Sequence, residues 1–365
     1  MKLECSVEKL LRGITYAERI TGKNLSLPIL GSILLIASGK SIKLRSTNLS
    51  LGIEVEIPAT VEKEGVVAIK GDVLSRFLAT ITDTKNITLT IENDSLVCTS
   101  KNNFSRIKTA SYEDFPTIPI VEGAQHHISC KKFIEGIKSV YYSSSISDIK
   151  PEIASIYIYT DADVLSFVAT DSFRLAEKKI KISHDTEFPG ILIPYKNIIE
   201  IIRIFEEIND DITITASKNQ LAIAYGGIYL TSRIIDAIFP DYKQIIPKET
   251  TTSVVVLKED FIRALKIANI FSDKFNQITF TIDPVQKAFF LATKNNDVGE
   301  NKTMVEGALE GEPITISFNY KYIIDCFQSI SADSITLNFN GINKPLILKG
   351  GSDATFRYLI MPMNR

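Results

Sequence analysis

The chain has 365 residues, 45% hydrophobic and 23% charged, too long for one ordinary core and suited to two or three globular domains. No stretch approaches the ~18 unbroken apolar residues of a membrane span, and charges interrupt every apolar run of the opening MKLECSVEKLLRG, which excludes a signal peptide. The net charge of −2 excludes a broadly basic protein, so any grip on nucleic acid requires cations gathered on one surface.

In chain order, the first predicted helix is SVEKLLRGITYAERI from Ser6, with a polar cap and apolar residues at helical spacing. A second, GDVLSRFLATI, starts at Gly71. Alternating residues around an Asn-Asp turn make ITLTIENDSLVCTS, from Ile87, a hairpin. FSRIKTASYEDFPTIP, from Phe104, adds a strand that leaves through a Phe-Pro turn. The same series then recurs. Helices are expected from Ser129 (SCKKFIEGIKSVYYSS) and from Pro194 (PYKNIIEIIRIFEEI), with Pro194 at a first helical position. A hairpin follows from Ile212 (ITITASKNQLAIAY) and a closing strand from Tyr229 (YLTSRIIDAIFPDYKQIIP). A third round has helices from Leu257 (LKEDFIRALKIANIFSD) and Phe318 (FNYKYIIDCFQSI), a hairpin from Ile335 (ITLNFNGINKPLILKG) and ATFRYLIMPM from Ala354.

Each round reads strand, helix, strands, helix, strands, at a period of roughly 120 residues, the size of whole domains. The fold class is α+β: three repeated domains per chain, each with two helices packed on antiparallel sheets. The expected boundaries are 1–122, 123–250 and 251–365.

The helices sort their charges. Val7, Leu10, Leu11, Ile14 and Ala17 form one apolar face. Opposite lie Lys9, Arg12, Tyr16 and Arg19, with Lys23 just past the end. The second round places Lys131, Lys132 and Lys138 opposite Phe133, Ile137 and Tyr141. The third places Lys258, Arg263 and Lys266 opposite Phe261, Leu265 and Ala268. The second helix of each round adds Arg76, Lys196, Arg203 and Lys321, diluted by Glu135, Glu200, Glu206 and Asp325. On one helix such a face is ordinary solvation. Repeated on several helices, it points to weak, sequence-independent phosphate contact.

Signs of catalysis are missing from the sequence: no P-loop, no G-x-G-x-x-G opening a helix, no G-x-S-x-G elbow. Cys5, Cys98, Cys130 and Cys326 lie far apart and read as small buried hydrophobes in a reducing cytoplasm, not as a zinc or redox site. His126 and His127 precede a predicted strand and His184 sits in a polar loop, with no metal-ligand or general-base arrangement among them. No catalytic residue, metal or cofactor is expected. VATDSFRLAEKK, from Val168, sets Asp171 near Arg174; it reads as a tight turn in which Asp171 bonds backbone amides and holds Arg174.

With that string the chain resembles, over its whole length, the β subunit of bacterial DNA polymerase III, the bacterial sliding-clamp family. The landmarks are L-P-I-L at Leu27 to Leu30, A-T-D-S-F-R-L-A at Ala169 to Ala176, F-P-D-Y at Phe239 to Tyr242, F-N-x-x-Y at Phe318 to Tyr322, and Y-L-I-M-P-M at Tyr358 to Met363. Each is weak alone; their order and spacing are specific. The resemblance implies three clamp domains per chain, a ring-shaped head-to-tail homodimer with helices lining the hole, and no catalysis. Double-stranded DNA is then held by topology, through a heterologous contact whose rotation closes.

The resemblance also implies a pocket between the second and third domains. There the DNA polymerase III α subunit, the clamp-loader δ subunit, other polymerases and mismatch-repair proteins insert a short motif, a Gln followed by aliphatic and aromatic residues. The matching positions are Ile153, Thr170, Ser172, Phe173, Arg174, Leu175, Pro240, Ile245, Asn319, Tyr322, Leu359, Ile360, Met361, Pro362 and Met363. Leu, Ile, Met and Pro make an adaptable apolar wall, and Arg174 and Asn319 are expected to orient backbone carbonyls. The chain departs from the family pattern: Ser172-Phe173 stands where many members have Gly-His, Gln244 where a cation is common, and the chain ends in Asn364-Arg365. For ring closure the resemblance implies an edge strand carrying Phe104 and Ile107 against Ile270 and Phe271 of the other chain, with Lys101, Arg106 and Lys108 facing acids.

Two other readings compete. An enzyme using Asp171 and Arg174 in a cleft needs a nucleophile or metal cluster that the sequence lacks. A peptide-binding adaptor without DNA makes Lys9, Arg12 and Arg19 dispensable for polymerase processivity.

Overall fold

The computed structural model describes residues 1–24, 26–82, 84–182, 188–351 and 353–363. His184, Asn364 and Arg365, named above, lie outside them.

The first round is β1 (Lys2–Ser6), α1 (Val7–Ile20), β2 (Ser32–Ser38), β3 (Ser41–Thr47), β4 (Leu51–Lys63), β5 (Gly65–Lys70), α2 (Gly71–Ala79), β6 (Asn86–Glu92), β7 (Ser95–Thr99) and β8 (Phe104–Ala110). The second is β9 (Gln125–Ser129), α3 (Cys130–Val140), β10 (Ser155–Asp161), β11 (Val164–Thr170), β12 (Arg174–Lys181), β13 (Ile191–Pro194), α4 (Tyr195–Phe205), β14 (Asp211–Ala216), β15 (Gln220–Tyr225) and β16 (Ile228–Arg233). The third is β17 (Thr252–Leu257), α5 (Lys258–Ile270), β18 (Gln277–Asp283), β19 (Ala288–Asn295), β20 (Gly299–Met304), β21 (Gly307–Gly311), β22 (Ile314–Asn319), α6 (Tyr320–Asp325), β23 (Ser334–Phe339), β24 (Leu346–Gly350) and β25 (Phe356–Ile360).

The predicted order therefore recurs three times. In the third round β20 and β21 together take the place of β4. β4 pairs with β3 and, farther along, with β1, whereas β20 pairs with β19 and β21 with β17. Asn93 and Asp94 both adopt positive φ, 42° and 57°, the backbone a two-residue hairpin needs between β6 and β7. Two expectations shift. Pro194 is not the first helical residue: it still pairs with Ser155 as the end of β13, and α4 begins at Tyr195. His126 and His127 lie inside β9, opposite Ile214 and Thr213, because burial alternates along that strand.

A small residue marks the same place in each first helix. A Cβ added at Gly13 of α1 would come within 2.7 Å of Ile57 and 2.8 Å of Leu44. One added at Gly136 of α3 would lie 2.4 Å from the Phe167 ring. The equivalent residue of α5 is the buried Ala264. Each helix thus presses onto its sheet at a point where a larger side chain would force overpacking.

The chain divides into two compact units. Residues 1–131 with 199–234 hold one sheet of order β1-β6-β7-β8-β5-β2-β3-β4-β16-β15-β14-β9. Since β1 also pairs with β4, the eight strands of the first round close on themselves. Residues 132–198 with 235–365 hold a sheet of order β13-β10-β11-β12-β25-β24-β23-β17-β21 and a smaller one, β20-β19-β18-β22. Among the described strands with an unpaired edge are β8 and β20. β8 pairs with β7 over Phe104–Lys108, but only Thr109 and Ala110 reach β5 on its other side. β20 ends its sheet. No described helix is long and apolar enough to cross a membrane.

Candidate functional site

The turn from β11 into β12 is built by its own side chains. Thr170 Oγ1 donates to the Arg174 carbonyl at 2.6 Å and accepts from the Ser172 N–H at 3.1 Å. Asp171 Oδ1 accepts from the N–H groups of Phe173 and Arg174 at 2.9 and 3.0 Å. The turn from β3 into β4 repeats this. Thr47 Oγ1 donates to the Leu51 carbonyl at 2.7 Å, and Asn48 Oδ1 accepts from Ser50 and Leu51 N–H at 2.9 and 2.7 Å. A device present in two rounds belongs to the fold, which favours the turn reading of Asp171 over the catalytic one.

The third turn residue is left-handed in both places, Leu49 at φ 75° and Ser172 at φ 78°. A side chain there costs about 1–2 kcal/mol relative to glycine. Ser172→Gly is therefore expected to raise stability by about 0.5–1 kcal/mol, after the entropy glycine adds to the unfolded chain. The midpoint of denaturant unfolding measures it; a lower midpoint would contradict the strain.

Arg174 is fully engaged. Its Nε donates to Asp171 Oδ2 at 2.9 Å, one terminal nitrogen to Asp325 Oδ2 at 2.5 Å and the other to the Tyr142 carbonyl at 2.6 Å. The guanidinium also lies 4.7 Å over the Tyr322 ring. Burial works against its charge, but Tyr358, Asp325 and Asp171 outweigh that and hold its pKa above the ordinary value. Instead of turning to a peptide's carbonyls, Arg174 ties the turn to α6 and to the segment after α3. Asn319 is similarly occupied: its Oδ1 caps α6 through the Lys321 N–H at 2.9 Å, and its Nδ2 donates to the Phe275 carbonyl at 3.3 Å.

Beside this turn lies a depression of about 220 Å³. Ten predicted residues line it: Ile153, Thr170, Ser172, Phe173, Arg174, Leu175, Pro240, Ile245, Leu359 and Met361. Asp241, Tyr242 and Pro345 line it too and were not predicted. The first two sit inside the F-P-D-Y string, which was the available signal. Pro345 precedes β24 and is brought in only by tertiary pairing. Leu175, Leu359 and Tyr242 join Val168, Leu192, Phe239 and Ile347 in a buried cluster beneath it. Tyr242 is anchored by donating to Glu177 Oε1 at 2.7 Å, with the Tyr159 hydroxyl 2.8 Å away. Burial first, then these bonds, push its phenol well up, so it stays a neutral donor.

Five predicted residues stand outside the lining. Tyr322 lies under Phe173, ring centroids 6.5 Å apart. Ile360 is fully buried, pointing away from the face Leu359 presents, as successive strand residues do. Asn319 caps its helix. Pro362 and Met363 continue past the rim, where the tail is held by Met361 N–H to the Phe173 carbonyl and Met363 N–H to the Ser317 carbonyl, both 2.8 Å.

The predicted cations are exposed: Lys9, Arg12, Arg19 and Lys23 at α1, Arg76 on α2, Lys131, Lys132 and Lys138 on α3, Lys196 and Arg203 on α4, Arg263 and Lys266 on α5, and Lys321 on α6. Some meet acids. Arg76 pairs with Asp72 at 2.9 Å, Lys196 with Asp148 at 2.5 Å, Arg203 with Glu200 at 2.6 Å and Arg263 with Asp260 at 2.5 Å. Exposed pairs of this kind are weak and yield to a competing phosphate.

At the open β8 edge, Phe104 is 62% exposed and Ile107 only 7%, because residues three apart on a strand face opposite ways. Ile107 shows only within a groove of about 670 Å³, alongside Arg106, Lys108, Leu27 and Val73. Ile270 is 64% exposed at the end of α5, and Phe271 is half-buried. All four cysteines are buried, and burial pushes the thiols of Cys5 and Cys98 up to about 12.

The model of the DNA polymerase III beta subunit family matches three successive parts of the chain: its N-terminal domain at residues 1–119, its central domain at 127–241 and its C-terminal domain at 243–364. The beta sliding clamp of Synechococcus elongatus is 27% identical over 373 residues, spanning 100% of this chain and 99% of its own. That of Staphylococcus aureus is 26% identical over 348 residues, spanning 93% and 92%. The crystal structure of the DNA polymerase III beta subunit from Thermotoga maritima matches with a TM-score of 0.94 at 25% identity, covering 100% and 99% of the two chains.

Proposed function

The chain belongs to the DNA polymerase III beta subunit family, whose members are non-catalytic sliding clamps, and from that premise we propose how it closes on DNA and what it recruits. It acts as a DNA sliding clamp, a processivity factor for the replicative polymerase. In our reading three clamp domains, at 1–122, 123–250 and 251–365, form half of a head-to-tail homodimeric ring.

One observation carries the ring. Each junction between successive rounds is the same strand pairing. The last strand of the second round, β16, pairs with β4 of the first; the last strand of the third, β25, pairs with β12 of the second. Continuing the rule, β8 of the first round requires the equivalent strand of a third round, which is β20. Both strands have an edge available for such a pairing, β8 over Phe104–Lys108 and β20 at the end of its sheet. They cannot satisfy each other isologously, so a second chain supplies the partner at each end, a heterologous contact that closes. Phe104, Arg106 and Lys108 stand on β8, Glu300 stands on β20, and Ile270 ends α5.

Lys9, Arg12, Arg19 and their counterparts on the other helices are read as the DNA-facing set, positioning phosphates without reading bases. The depression at residues 170–175 and 240–245 is read as the pocket for short motifs of the polymerase α subunit, the clamp-loader δ subunit, other polymerases and mismatch-repair proteins. Its support is a mainly apolar lining over a buried apolar cluster, with Arg174 and Asp241 as its charged members. The cytoplasm is the compartment this function requires.

The test is retention after enzymatic loading, in high salt, on circular against linearised DNA. Retention on circles with loss from linear ends is the expected result. Equal loss from both would mean ordinary electrostatic binding. Reversing Lys9, Arg12 and Arg19 to Glu is expected to impair loading and processivity while the dimer persists. The same change is expected to lower the salt slope of DNA binding by about one for each phosphate no longer neutralised. Unchanged processivity would favour the adaptor reading.

A further inference from the structure

The proposed pocket carries unbalanced charge. Two charged residues line it, Arg174 and Asp241. Arg174 is already answered twice, by Asp171 and by Asp325. Asp241 is answered by a neutral amide, Gln244 Nε2 at 2.7 Å. The adjacent Lys243 is turned elsewhere, 3.3 Å from Asp161 and 5.6 Å from the centre of the Tyr159 ring. One guanidinium thus faces three carboxylates at the site.

The rest of the wall is apolar, formed by Ile153, Leu175, Ile245, Leu359 and Met361. The lip is aromatic: Phe173, 60% exposed, lies nearly parallel to Tyr322 at an interplanar angle of 18°. The volume, about 220 Å³, is below the roughly 300–1,000 Å³ of small-molecule sites and suits one or two side chains of a peptide.

Resting on the pocket reading above, we infer that this site selects its partner peptides by charge as well as by apolar fit. It takes an aliphatic-aromatic anchor flanked by Lys or Arg and disfavours one flanked by Asp or Glu. The anchor buries apolar area in the depression. The flanking cation meets the exposed Asp241 carboxylate at the rim, where the attraction is modest and salt-sensitive. An acidic neighbour there meets a carboxylate excess with no unengaged cation in the lining to offset it.

Fluorescence anisotropy with the full-length chain tests this. Three labelled peptides share one Leu-Phe anchor and differ only in the adjacent residue, Lys, Ala or Asp. The expected order of affinity is Lys, Ala, Asp, with about three- to tenfold between the extremes at low salt and little difference at about 0.5 M salt. Asp241→Asn is expected to shrink that ratio, weakening the Lys peptide and strengthening the Asp peptide relative to the Ala peptide. An Asp peptide that binds as tightly as the Lys peptide, or a ratio indifferent to Asp241→Asn, overturns the charge selection while the pocket stands. If none of the three binds above a scrambled control, the pocket reading itself fails, and the inference with it.

Discussion

Arg174→Ala is expected to destabilise the protein by about 3–5 kcal/mol, the scale for removing one partner of a buried ion pair. The side chain is 12% exposed and its partner Asp171 15%, so the orphaned carboxylate has little water to turn to. The Tyr142 carbonyl is left without its donor, and Asp325 on α6 is no longer tied to the β11–β12 turn. The damage reaches the pocket as well, since Thr170, Ser172, Phe173 and Leu175 line it from that turn. Thermal unfolding gives the stability term, and peptide anisotropy at a temperature where the variant is folded gives the binding term. Arg174→Lys is expected to recover little, because an ammonium cannot reproduce three divergent bonds from a planar fork. A variant within about 1 kcal/mol of wild type would show that water replaces those bonds, and Arg174 would then be a peripheral residue.

Phe104→Asp and Ile270→Asp are each expected to convert the proposed homodimer to monomers at working concentrations. Both residues are large, apolar and more than half exposed, Phe104 on β8 and Ile270 at the end of α5. Central apolar anchors of this kind typically contribute about 2–4 kcal/mol, so the dissociation constant is expected to rise by roughly 30- to 1,000-fold. Sedimentation velocity across a concentration series reads this directly. The folded protomer is expected to persist, since neither side chain is part of a buried core. Retention on circular DNA is expected to fall in parallel. A variant that dimerises normally would remove its residue from the ring contact and leave the repeated-junction argument resting on the backbone edges alone.

Much of this architecture was legible locally. The three rounds of helix and hairpin follow from 3.6- and 2-residue periodicities, from Asn-Asp in a two-residue turn and from prolines leaving strands. The sorting of α1 into Leu10, Ile14 and Ala17 inside and Lys9, Arg12 and Arg19 outside needed nothing beyond the sequence, and the structure agrees. Asp171 as a turn builder was legible too, because an Asx bond reaches only two or three residues along the chain.

The sequence by itself determined the recurring local elements, the helix faces and the Asp171 turn, since each depends on neighbours a few positions away. Tertiary structure decided the rest. It committed Arg174 to Asp325, more than a hundred residues distant, and brought Pro345 to the pocket wall. It turned Ile107 and Ile360 inward, because the side of a strand that is buried depends on which sheet covers it. It also left β8 and β20 open while pairing β16 with β4 and β25 with β12. Strand edges carry the same N–H and C=O groups whatever their side chains, so which edges pair is set by the positions of whole domains and not by any local motif.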